Sequence, residues 1–344
     1  MTGHARRRVR PRFFLFVAIV LAATFWTLSA FHTKSGTISE PRLLPAKPKS
    51  LSLTVDTAYP PFALPAGLFD MRAILASQNV FVAGLSSHRS SHGLSFAITP
   101  QGVVQGPSPS MLAGGSLVLS QNMAWWAGGL RSQAPQQSAM NLNSNRTMTH
   151  FLPVPLANAA VAADQNLTFV AGGRSTHHLS DHIYALSQST GNFHNWATLP
   201  QGVEKPFTAT GGKWLIVGGG RLAGGPVNSH IWIYQLSSHR LFNTLDLPYS
   251  IHGAAMVYFH NHFWLLGGEH HHHLLSAIWL ITPSAVIPTT GDLPLPLAKF
   301  GVGVLHHQIW VIGGLTPQGI TATIRTLTFK EHPFPAKNTQ PSKH

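Results

Sequence analysis

The sequence predicts an all-β fold: six four-stranded sheets set as the blades of a propeller, closed by an N-terminal strand and preceded by one transmembrane helix. Three observations carry this expectation. An apolar run ending in glycine recurs six times at near-constant spacing; short apolar runs and turn signals fill the intervals; and a charge-free stretch follows a cluster of arginines near the N-terminus.

The N-terminus comes first. "MTGHARRRVRPR" holds Arg6, Arg7, Arg8, Arg10 and Arg12, and Phe13–Phe31 follows without a charge. Nineteen helical residues reach about 29 Å, close to the thickness of a bilayer's hydrocarbon core. Arginines ahead of such a span keep residues 1–12 in the cytoplasm and send the remainder across. The expectation is therefore a single-pass, membrane-bound chain with an extracytoplasmic body. A cleaved signal, giving a secreted or periplasmic protein, is the rival, although Leu28–Ala30 makes a poor cleavage site. Residues 32–49, rich in Pro, Ser and Lys, read as a linker, and 331–344 as a flexible tail.

Charge points the same way. The whole chain is +13, but Ser50–Lys330 holds 12 Lys and Arg against 8 Asp and Glu, so most of the excess lies at the ends. A nucleic-acid binder concentrates its cations on the folded surface, so no nucleic-acid partner is expected. With no cysteine, disulfides, thiolate metal sites and cysteine nucleophiles are excluded. A chain of this length buries roughly 75% of its unfolded surface and needs no such staple.

The glycine-ended runs are Asn79–Gly84, Met123–Gly129, Leu167–Gly173, Trp214–Gly219, Phe263–Gly268 and Ile309–Gly314. Between them lie apolar runs of four to eight residues with no helical period, which is the pattern of short strands. Four such runs per interval make one blade of a propeller spanning 50–330. A glycine pair supplies positive φ and close backbone approach where the second strand must turn beside its neighbour. The sixth copy ends at Ala322–Phe329 and lacks a fourth strand. Leu51–Asp56 is an unassigned strand at the other end, so it is expected to pair there and close the ring. Nothing further is needed for a monomer.

Apolar run, Gly-Gly, a spaced Tyr or Trp and a closing "W-x-x-LP" are complete in blade 3, "LTFVAGG", "DHIYALS" and "FHNWATLP". This grammar resembles the kelch repeat. Blade 1 departs from it, with Ala83 in place of the first glycine, and only blade 3 keeps both Tyr184 and Trp196. The resemblance implies a six-bladed kelch-like propeller. Some such propellers are similar to N-acetylneuraminate epimerase, a sugar mutarotase; on that resemblance Glu269 is the base and Arg174 or Arg221 the carboxylate clamp. Copper chemistry of the galactose-oxidase kind needs a cysteine crosslink and is excluded.

Residues just past each glycine pair should face the channel mouth: Leu85, Leu130, Arg174, Gly220 with Arg221, Glu269 and Leu315. Neighbouring segments add Glu204, Lys205, His252 and Lys299. Arginine and glutamate side by side suit a protein or carbohydrate ligand carrying polyol or carboxylate groups. Histidines cluster in the same loops: His88 and His92, His177, His178 and His182, and the run His270–His273. Four consecutive residues in an extended chain alternate sides and give one ion at most two ligands, so this run is a weak metal candidate. No cofactor is expected. "GGGRLA" from Gly218 resembles a dinucleotide loop but joins two strands and opens no helix. Three readings stay open: a binding scaffold, a mutarotase or epimerase, and a histidine-rich metal-binding surface.

Overall fold

The computed structural model describes residues 50–76, 79–86, 93–99, 101–107 and 113–332. The anchor expected at Phe13–Phe31, the linker, and the loop with His88 and His92 lie outside the described residues. Among those described, no helix is long and apolar enough to cross a membrane.

Six antiparallel meanders form the body. Blade 3 shows the plan with strands Ala160–Ala163, Leu167–Ala171, His182–Ser187 and Phe193–Thr198, and blade 4 repeats it with Phe207–Gly211, Trp214–Gly218, His230–Gln235 and Arg240–Asp246. First strands of successive blades lie side by side around a central channel, blade 1 returning to blade 6, so the ring is closed. The structure is a six-bladed β-propeller.

Position within the blade explains the sequence pattern. Second and third strands are covered on both faces, so Ile231–Tyr234 is apolar throughout and buried, whereas the outer strand Arg240–Asp246 is largely exposed. Alternate residues of one strand face opposite neighbours. Phe169 and Ala171 pack towards blade 4 with Val217 and Trp232, while Val170 packs towards blade 2 with Trp125. Each pair of adjacent blades encloses one apolar cluster, and the fold is held by these six seams.

The glycine pairs have a geometric cause. Gly172 and Gly173 are left-handed, at φ 65° and 97°. The Gly173 N–H donates to the Val203 carbonyl, in the segment entering the next blade, at 2.8 Å. A Cβ on Gly172 would stand 2.5 Å from that same oxygen. The first glycine thus clears the space and the second makes the bond. The pattern returns with Gly129 on Leu156, Gly220 on Ile251, Gly268 on Leu297 and Gly314 on Leu68.

Two details correct the sequence reading. Blade 4 uses Gly219–Gly220 as its left-handed pair, one residue later than the run Trp214–Gly219 suggests, so Gly220 belongs to the elbow itself. In blade 1 the strand Asn79–Leu85 continues through Gly84, and Leu85 is a strand residue paired with Phe69.

Closure follows the expected route. Ser52–Ala58 pairs antiparallel with Ile324–His332 and becomes the fourth strand of blade 6. Leu51 and Leu53 join the apolar seam between blades 5 and 6. Leu51 also exchanges backbone hydrogen bonds with Pro288 and Thr290 of blade 5, each 2.9 Å long.

Candidate functional site

The entry to each blade's first strand carries one left-handed residue: Asp70, Gly114, Asn158, Lys205, Gly253 and Lys299 in blades 1 to 6. Adjacent entries are stitched by backbone bonds around the channel: Asn158 N–H to Gly114 O, Lys205 N–H to Asn158 O, and Lys299 N–H to Gly253 O. Four of the six positions bear side chains although positive φ is uncommon outside glycine. The two glycines serve a neighbour. A Cβ on Gly253 would lie 3.1 Å from Lys299 Cγ, and one on Gly114 would lie 2.6 Å from Asn158 Oδ1.

One residue earlier in the chain, the backbone pairs with the residue after the glycine elbow. Glu204 lies opposite Arg221, His252 opposite Glu269, Ala157 opposite Arg174 and Ala298 opposite Leu315. Two short tiers thus bring linker and elbow residues of neighbouring blades together at one mouth of the channel.

The side chains there form two connected groups. In the first, Lys299 Nζ lies 3.1 Å from Glu269 Oε2, and His252 Nδ1 lies 3.9 Å from the same oxygen. Arg221 Nη2 donates to His252 Nε2 at 3.2 Å, which leaves the ring proton on Nδ1, the nitrogen facing Glu269. In the second, Lys205 Nζ meets Asp70 Oδ2 at 3.2 Å and Arg72 Nη1 lies 3.6 Å from Asp70 Oδ1. Glu204 accepts a 3.4 Å bond from the Asn158 amide. Arg174 is exposed beside Ala157 and is not joined to either group.

Electrostatics follow from this packing. Burial alone would raise the Asp70 carboxyl, but Lys205, Arg72 and Lys299 outweigh it and hold it below the ordinary carboxylate range. Glu269 behaves likewise, burial being outweighed by Lys299, His252 and His272. His252 is pushed down by burial and by Arg221, Lys299 and Lys205, against the pull of Glu269. At neutral pH the carboxylates of Asp70 and Glu269 and the neutral imidazole of His252 therefore sit among four permanent cations, Arg72, Lys205, Arg221 and Lys299.

Asp70, Arg72, Lys205, His252 and Lys299 line a cavity of about 130 Å³, whose deeper wall is Ala73, Val161, Thr208, Met256 and Val302. Those five wall residues also border the space that continues towards the opposite face. Arg221, Glu204 and Glu269 stand outside this lining, behind His252 and Lys299. Asp70 and Arg72 escape the sequence reading, because no glycine elbow in blade 1 marks their phase. The signal was the position of Asp70 at the entry to a first strand, equivalent to Lys205 and Lys299, with Arg72 two residues further on.

The histidine run is a hairpin. Glu269–His270 pairs with His273–Leu274, with His271 and His272 left-handed at its tip. His270 Nδ1 donates to the Ser250 carbonyl at 2.8 Å and its ring packs on Tyr249, while His272 projects into solvent. No group of three or more His, Asp or Glu able to hold a metal converges among the described residues.

No family profile matches this sequence, and no curated protein does. The chain is similar in fold to a solved structure titled "Structure of YjhT". The likeness covers 78% of this chain and 99% of that one, with a TM-score of 0.63 and 13% identity. At that identity the fold alone is shared.

Proposed function

We propose that this chain is a kelch-like binding scaffold, displayed outside a membrane by Phe13–Phe31, whose channel mouth takes a glycan bearing a carboxylate. One observation carries the reading: charged side chains from blades 1, 4 and 6 converge, with the His252 imidazole of blade 5, on a single cavity with an apolar back wall. Three cations, Arg72, Lys205 and Lys299, line it against one carboxylate, Asp70, which favours an anionic group, and the remaining donors and acceptors suit hydroxyls. Calorimetric titration of the full chain with glucuronate and with glucose tests it. Glucuronate is expected to bind at least about tenfold tighter than glucose. Flat titrations with acidic sugars, in the full chain and in its Asp70→Asn variant alike, would refute the reading.

The pair His252–Glu269 favours a second reading, a sugar mutarotase. When a ligand's carboxylate draws Arg221 away, His252 Nε2 is free to take a proton from an anomeric hydroxyl and return it to the ring oxygen, while Nδ1–H faces Glu269. Exchange between anomers of freshly dissolved N-acetylneuraminate, followed by NMR, would then be accelerated by the chain and lost in Glu269→Gln.

A further inference from the structure

The ion pair Lys205–Asp70 joins blade 4 to blade 1, and in a closed ring of six these blades stand opposite each other. The two side chains therefore meet over the channel axis, and a ligand entering from this face must pass them. We propose that Lys205, with Lys299 beside it, is the subsite for the ligand's carboxylate, and that Asp70 occupies this subsite until the ligand displaces it. This rests on the binding reading above and names the atoms that carry it out.

Three features support the assignment. First, Lys205 and Asp70 both hold left-handed backbone, at φ 54° and 51°, at positions where blades 2 and 5 use glycine. The ring can be built with glycine there, so the fold alone does not call for a lysine and an aspartate facing each other in a conformation L-residues resist. Second, Asp70 sits in a bulge. The register of the first strand of blade 1 shifts between Phe69 and Arg72, and a bulge of this kind re-aims a side chain. Third, exposure is unequal. The Asp70 side chain is 12% exposed and that of Lys205 38%, so an anion arriving from solvent meets the ammonium before it meets the carboxylate.

The exchange needs no bond to break. Lys205 turns from one carboxylate to another, and Asp70 keeps Arg72, already 3.6 Å away, as its remaining partner. A neutral sugar has no negative charge to replace Asp70 on Lys205 and leaves the bar in place, which makes the pair a device for selecting acidic ligands.

The test is calorimetric titration of full-length wild type, Asp70→Asn and Lys205→Met with glucuronate, and with glucose as the neutral probe. Asparagine tolerates left-handed backbone, so Asp70→Asn should fold, and melting temperatures check each variant. Removing the competitor should tighten glucuronate at least about tenfold and leave glucose unchanged, while Lys205→Met abolishes the preference for glucuronate. Glucuronate binding seen in Asp70→Asn alone would be the same result in stronger form. Unchanged or weaker binding in Asp70→Asn, with wild type binding normally, overturns the subsite and leaves the scaffold reading intact. No binding of either sugar by any form overturns both.

Discussion

At the scale of single residues, Asp70, Glu269 and His252 couple stability to pH. All three have folded-state pKa values below their ordinary ones, so the unfolded chain binds more protons and stability rises with pH. The window differs by group. His252 stays neutral in the fold while the unfolded chain protonates near about 6.5, so its contribution is lost first on acidification. Asp70 and Glu269 contribute fully above about 4 and lose that contribution as pH falls through their lowered values. Thermal melting followed from pH 8 to pH 3 should fall in two stages, and His252→Gln should flatten the first. The site at this scale was half legible. Lys205, His252, Glu269 and Lys299 follow from their place in the repeat. Asp70 and Arg72 do not, because a bulge and a missing glycine elbow break the register that locates their counterparts.

At the scale of the element, the glycine elbow makes a sharp prediction. Gly172→Ala places a methyl 2.5 Å from the Val203 carbonyl at φ 65°, so both strain and collision apply. Gly225, at φ 96° with nothing within 4 Å, suffers strain alone. Denaturant unfolding should show Gly172→Ala destabilised by roughly 3 kcal/mol and Gly225→Ala by about 1 kcal/mol. Equal losses would remove the carbonyl contact as the reason for the pair. Sequence spacing located the elbows in blades 2, 3, 5 and 6. In blade 4 three glycines run together, Gly218 to Gly220, and composition cannot choose between two overlapping pairs. The choice is made by Ile251, whose carbonyl receives the N–H of Gly220.

At the scale of the whole molecule, six apolar seams hold blades whose other contacts are mainly backbone. The seam between blades 5 and 6 depends on the first described strand, since Leu51 and Leu53 pack there with Trp264, Leu280 and Leu327. Leu53→Ala should cost about 2–3 kcal/mol in denaturant unfolding. Removing Leu51–Asp56 should do more, by exposing that seam and the unpaired edge of Ile324–His332, and should show as aggregation by light scattering. A deletion ending at Ser50 should leave the melting temperature unchanged. Closure was legible because blade 6 lacks a fourth strand and a spare strand stands at the other end. The tiers that bring Arg221 to His252 were not, since pairs between neighbouring blades depend on side-chain reach that spacing does not encode.

The clasp between the two ends has a consequence for how the protein is made. The Thr54 hydroxyl bonds to His332, 278 residues further along the chain. During synthesis the first strand therefore emerges with no partner and waits until Ile324–His332 has left the ribosome. Blades 1 to 5 can form in order from local hairpins, but the ring shuts only when Ile324–His332 arrives, a slow, long-range event. A nascent chain cut short anywhere before Ile324 would keep an open edge and an orphaned strand.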